Sequence, residues 1–108
     1  MKPAPRWSKD ELVITLYFSS RRISYMAVSQ LLTRRGYHRT SSAVERKIRM
    51  IVGDRPSLRP SQEGWDVNAV DQWLDEVLGS TEEVNGLIDF TPEDAETVAH
   101  WGLFARTD

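Results

Sequence analysis

The residues with the most chemistry to offer lie in the stretch "RTSSAVERKIRMI", residues 39–51. At helical spacing Val44, Ile48 and Ile51 fall within about 60° of one another, while Ser42, Arg46 and Arg49, with Glu45 beside them, gather on a different side. One side is built to pack. The other presents guanidinium groups, planar cations that donate paired hydrogen bonds to carboxylates and phosphates, with no obvious neutralising partner in the neighbouring sequence. Lys47 stands on a flank and Arg39 just before the first turn.

Such a helix has to be positioned by others, and the sequence announces two before it. In "WSKDELVITLYF" Ser8 is placed to cap a helix and Glu11, three residues on, to reach back to the Ser8 amide in a capping box. Leu12, Leu16 and Ile14 or Tyr17 supply its apolar stripe, and Trp7 folds back onto the same face. A second start falls at Ser24 in "ISYMAVSQLLTRRG", with Tyr25, Val28, Leu31 and Leu32 as core and Gly36 as the left-handed residue that ends it. Arg34 and Arg35 suit the negative dipole end of that helix. The third helix, about residues 40–52, begins at Thr40, which caps the amide of Ser42 or Ala43.

Length and composition bound what these helices belong to. A chain of 108 residues with 40% hydrophobic residues and four tryptophans suits one folded unit, or one module with an appended element. The absence of cysteine removes disulfides, thiolate nucleophiles and cysteine-based zinc sites, and fits a reducing compartment. No stretch approaches the run of about 20 apolar residues that a membrane span needs. The N-terminus lacks a signal-peptide segment. A soluble, intracellular chain is expected, with no membrane partner and no cofactor.

The net charge of −2 conceals a division. Residues 1–59 carry 13 Lys and Arg against four acids, a net of +9, whereas residues 60–108 carry Arg106 alone against 12 acids, a net of −11. Three parts are expected: a basic helical module over 1–53, a connector over 54–64 with two prolines and no periodicity, and an acidic helical extension over 65–108. In the extension, Asp66 caps a helix whose face is Val67, Val70, Trp73, Leu74, Val77 and Leu78, ending at Gly79. A last helix starts at Thr91 and Pro92, with Val98, Trp101, Leu103 and Phe104 as its apolar residues. Leu87 and Ile88 suggest a short helical turn between them. The tryptophans are expected in the core or as staples; the end segment of Trp101, Leu103 and Phe104 is expected to close over the core, the alternative being that it meets another chain.

Trp7 before the first helix with Glu11 after it, "ISYMAVSQLL" as a second helix, and "RTSSAV" opening the third resemble, in that order, the three motifs of the Myb/SANT family of helix-turn-helix domains. The resemblance covers about residues 6–51. Tyr25 and Ile48 stand where the family has its second and third tryptophans, and the loop "RRGYHRT" is longer than in the usual repeat. It implies an all-α, three-helix bundle whose third helix enters the major groove of double-stranded DNA. Base contacts would come from Glu45, Arg46 and Arg49, with Met50 at the edge and Ser42 on the same face. Arginine there donates to guanine and glutamate accepts from cytosine. Arg34, Arg35, Arg39, Lys47, His38 and the arm residues Lys2 and Arg6 would meet phosphates, which makes binding salt-dependent.

Plainer accounts stand beside this one. A basic helix face is commonly just solvated, and the acidic half could mask it, mimic DNA, or weaken binding by neutralising the domain. SANT-like members of the family also engage histone tails or partner subunits of chromatin complexes. Here the acids Asp71, Asp75, Glu76, Glu82, Glu83, Glu93, Asp94 and Glu96 would attract such a basic partner. Catalysis is not expected, since the carboxylates recur on helix exteriors without a nucleophile–base pair. Neither His38 nor His100 has a second metal ligand at useful spacing, so no metal site is expected. The expectation is therefore a non-enzymatic DNA- or chromatin-binding protein of the nucleus, with two or three C-terminal helices packed on the basic module.

Overall fold

Local signals set the helix boundaries. In the computed structural model, which describes residues 6–61 and 64–101, six α-helices follow in order: α1 (Lys9–Ser20), α2 (Tyr25–Arg34), α3 (Ser41–Asp54), α4 (Val67–Leu78), α5 (Thr81–Leu87) and α6 (Pro92–Trp101). A single 3-10 turn, Pro56–Leu58, sits in the connector. No β-strand occurs among the described residues. Ser8 and Glu11 form the expected capping box, Ser24 caps α2 through the Ala27 amide, Thr40 caps α3 through Ala43, and Asp66 caps α4 through Ala69. Gly36 takes φ 92° just past α2. There the Tyr37 and Gly36 amides return to the Leu32 and Thr33 carbonyls, the paired closure that an αL residue permits.

α1 departs from the expected amphipathic stripe. Val13, Ile14, Thr15, Leu16, Phe18, Ser19 and Ser20 are all buried, so nearly its whole circumference is covered. The cause is its central place. On one side Ile14 and Phe18 join Ala27, Val28, Leu31 and Leu32 of α2 and Val44 of α3 in one apolar cluster. On the other, Val13 and Leu16 join Ile48 and Ile51 of α3, Leu58, Val70 and Leu74 of α4 and Val84 of α5 in a second. A helix covered from both sides has no solvent face to alternate with.

α4 therefore completes the wall of the core that α1 and α3 leave open. The connector between the basic and acidic parts is no gap in the packing, since Leu58 is only 3% exposed and its carbonyl accepts the Asp66 amide. α5 is a seven-residue helix capped by Ser80, longer than the turn expected at Leu87–Ile88. Among the tryptophans, Trp7, Trp65 and Trp73 pack against the clusters, whereas Trp101 is 40% exposed and does not close over the core; Leu103 and Phe104 lie outside the described residues. α6 lies along α2, and its one buried residue is Asp94.

Because Leu74 is fully buried in a cluster shared by α1, α3, α4 and α5, Leu74→Ala should lower the unfolding free energy by about 2–5 kcal/mol. Urea titration followed in parallel by far-UV circular dichroism and tryptophan fluorescence checks both size and cooperativity. Two separable transitions would contradict a common core.

Candidate nucleic-acid interface

The segment "RRGYHR", residues 34–39, joins α2 to α3, and where phosphate contacts are expected of it the structure gives most of its side chains other work. Arg35 is 17% exposed at its side chain. Its Nε donates to the Leu87 carbonyl, Nη1 to the Leu31 carbonyl and Asp94 Oδ1, and Nη2 to the Asp89 carbonyl and Asp94 Oδ2, the last two at 2.8 Å. All five guanidinium N–H groups are thereby engaged. Arg34 adds its Nε to the same Asp94 at 3.1 Å, with its side chain 40% exposed. Arg39 is 7% exposed and Glu11, its partner, 8%. Its Nε meets Glu11 Oε2, its Nη2 reaches Glu11 Oε1 and the Arg6 carbonyl, and its guanidinium lies 4.6 Å from the Trp7 ring centre. Tyr37 donates to Asp10 at 3.3 Å.

Arg35 and Arg39, expected at phosphates, are instead engaged in internal ion pairs with Asp94 and Glu11. The reason is energetic: an arginine buried with a carboxylate cannot leave it without stranding a charge in a poorly solvated place. Sequence reasoning misses the two carboxylates. The capping pattern marks Glu11 as a cap only, yet its Oε1 accepts both the Ser8 amide and Arg39. Asp94 stands in sequence among solvated acids, yet it is 2% exposed. The spacing Thr91–Asp94 is its legible sign, since the two residues cap each other's amides at 3.0 and 3.1 Å. Asp71, another of those acids, holds Arg21 through two bonds of 2.9 and 2.8 Å.

Burial raises the affinity of both carboxyls for protons, but their bonds outweigh it. For Glu11 the Arg39 hydrogen bond, the Ser8 amide and hydroxyl, and the Arg39 charge hold the carboxyl below its usual range. For Asp94 the opposing groups are Arg35, the Thr91 amide and Arg34. Burial, the Asp10 charge and hydrogen bond, and the Glu11 charge push the Tyr37 hydroxyl up.

α3 stands apart from this network. Val44, Ile48 and Ile51 are buried as expected, while Arg46, Arg49 and Met50 are exposed, Met50 by 57%, and Ser42 is exposed at the helix start. α3 packs against α1, α2 and the 3-10 turn, and α4, α5 and α6 settle chiefly on α1, α2 and each other. The acidic helices therefore cover the other faces of the bundle. Arg46 is exposed and has no carboxylate partner among the described residues. Arg49 is paired with Glu45 one turn earlier, with 76% of its side chain still exposed. Glu45 is thus a neutralising partner for Arg49 within the neighbouring sequence, contrary to expectation, and the i,i+4 spacing is its legible sign. Lys47 lies 5.7 Å from the Trp7 ring centre. His38 and Arg6 are exposed, and Lys2 lies outside the described residues.

Among the described residues no group of three or more His, Cys, Asp or Glu could hold a metal ion, and no helix is long and apolar enough to cross a membrane. No protein-family model, curated protein or solved structure matches the chain.

The burial of these pairs sets two expected outcomes. Arg39→Ala leaves Glu11 buried without its cation and should lower stability by about 3–5 kcal/mol, whereas exposed Arg46→Ala should stay within about 0.5 kcal/mol of the parent; chemical denaturation measures both. For pH, a folded carboxyl held below its unfolded value binds fewer protons than the unfolded chain, so stability rises with pH across that interval. The contribution of Glu11 and Asp94 is complete above the ordinary carboxylate range and is lost as pH falls through their lowered values. Asp94→Asn should flatten the acid limb of stability against pH, as read by thermal melts; an unchanged limb would contradict the assignment.

Proposed function

We propose that the protein is a non-enzymatic, double-stranded DNA-binding module that lays the outer face of α3 in the major groove. The observation that carries this is the disposition of charge. The acidic half neutralises Arg21, Arg34 and Arg35 around the bundle, yet among the described residues no helix from it lies on the face of α3 that bears Arg46 and Arg49. α3 has 14 residues, about 21 Å of rod, and the three-helix order that it completes after α1 and α2 supports a helix-turn-helix docking.

Within that surface the roles divide by freedom of the side chains. Arg46 is the principal base reader, suited to the O6 and N7 acceptors of guanine. Glu45 and Arg49 act together, the carboxylate fixing the guanidinium on the helix surface. Met50 offers an apolar contact to a thymine methyl, and Ser42 a hydroxyl near the helix start. Lys47, Arg6, His38 and the outward part of Arg34 are left for phosphates, a role also expected of Lys2, which lies outside the described residues. Such a module belongs with chromatin in the nucleus. A second reading, docking of a basic histone tail or partner subunit, draws on Glu76, Glu82, Glu83, Glu93 and Glu96, which are spread over α4, α5 and α6.

A salt-titrated mobility-shift assay on random-sequence duplexes tests the first reading. Affinity should fall steeply with salt. Replacing Arg46 and Arg49 together by Ala should weaken binding by roughly 1–3 kcal/mol for each of the two that reads a base, and lower the salt slope by about 0.9 for each that neutralises a phosphate. The thermal midpoint should hardly move. Retention unaltered by the double variant would reject α3 as the docking element, and histone-peptide binding without a DNA shift would favour the second reading.

A further inference from the structure

Between α3 and α4 runs a groove of about 520 Å³ that shares Lys47 and Met50 with the edge of the α3 reader face and extends beyond it to Arg55 and Trp73. Leu12 and Ile51 floor it, Met50 and Trp73 wall it, and Lys47, Arg55 and Asp54 stand at its rim. The Arg55 guanidinium lies 4.5 Å from the Trp73 ring centre, so a cation caps one wall. A site of this kind suits one apolar side chain presented among carboxylates: the walls desolvate the side chain, and the two cations outnumber the single acid.

The same chain carries a segment of that description. Phe90, between α5 and α6, is 47% exposed, with Asp89 before it and Glu93 in the first turn of α6, both exposed. Its ring reaches back to Phe18 at 5.9 Å and the neighbouring Asp89 carbonyl is held by Arg35. The knob is thus presented on a fixed backbone, which lowers the entropy lost on docking. It does not line the groove of its own chain.

We propose that the groove receives Phe90 of a second copy of this chain, with Asp89 and Glu93 of the incoming copy set against Lys47 and Arg55. Knob and groove are different surfaces, so the contact is heterologous, head to tail, and each added copy leaves one knob and one groove open. One aromatic anchor buries far less than the roughly 1,000 Å² of a lasting interface, so the association is transient. Because opposite charges rim it, salt weakens it. It requires no nucleic acid.

Sedimentation equilibrium of the full chain without nucleic acid tests this. The expected result at low salt is an average mass that climbs above the 12.4 kDa monomer as protein is raised from micromolar to millimolar, and that returns to it at high salt. Phe90→Glu and Arg55→Glu should each be monomeric alone. Their equimolar mixture should rise towards twice the monomer mass and stop there, because the first variant keeps its groove and the second its knob. Circular dichroism melts establish that each variant is folded; should either fail, Phe90→Ala takes its place as a monomer and the parent series decides. A parent that stays monomeric throughout, a mixture that stays monomeric, or association that persists in both single variants would each overturn the proposal.

Discussion

Arg35 binds the Asp94 carboxylate with two of its N–H groups and the carbonyls of Leu31, Leu87 and Asp89 with the other three, and the arrangement of the second half depends on it. α6 brings little apolar surface to α2, Asp94 being its one buried residue, so hydrophobic burial alone would hold it weakly. A carboxylate that receives three arginine N–H bonds and a backbone amide holds it instead, and Asp94 in turn starts the helix it anchors. Four residues along, Arg39 does the equivalent service at the other end of the α2–α3 loop, tying it to Glu11 at the start of α1. Two buried carboxylates, each at the first turn of a helix, fix one short loop from opposite sides. Such pairs specify geometry more than they add net stability, since desolvation offsets much of the attraction.

The same pairs account for how segments of +9 and −11 coexist in one body. Part of the opposite charge is consumed in bridges from Arg21, Arg34 and Arg35 to Asp71 and Asp94, at the seams where acidic helices meet basic ones. What remains is partitioned by topology. α4 packs on α1, α5 bridges α1 and α4, and α6 packs on α2, which leaves the outer side of α3 exposed. The surface chemistry of the protein is then set by which helix each acidic helix covers: for α4 and α5 that choice follows the apolar faces of Val70, Leu74 and Val84, whereas α6 is held on α2 through Asp94.

Much of this is legible locally. The caps at Ser8, Ser24, Thr40 and Asp66, the left-handed turns at Gly36 and Gly79, and the buried triad Val44, Ile48 and Ile51 are properties of residues within one or two turns of each other, and the fold class follows from them. The Glu45–Arg49 pair is equally local, though a wheel that sorts apolar from polar residues does not display it. α1 misleads for a physical reason: a helix enclosed from both sides presents no periodic stripe, so its apolar residues point to one face where two exist. α5 exceeds its expected length because seven residues with a glycine carry little periodic signal.

α5 apart, the sequence by itself determined the helices, where they start and the charge each one carries, because capping, left-handed glycine turns and side-chain spacing act over a few residues. Only the tertiary structure decided which of those charges face water. Asp94 and Arg35 are 59 positions apart, and Arg39 lies 28 from Glu11, so their pairing waits on the packing of α6 against α2 and of the α2–α3 loop against α1. Chain proximity cannot report a meeting between residues that only the packed helices bring together.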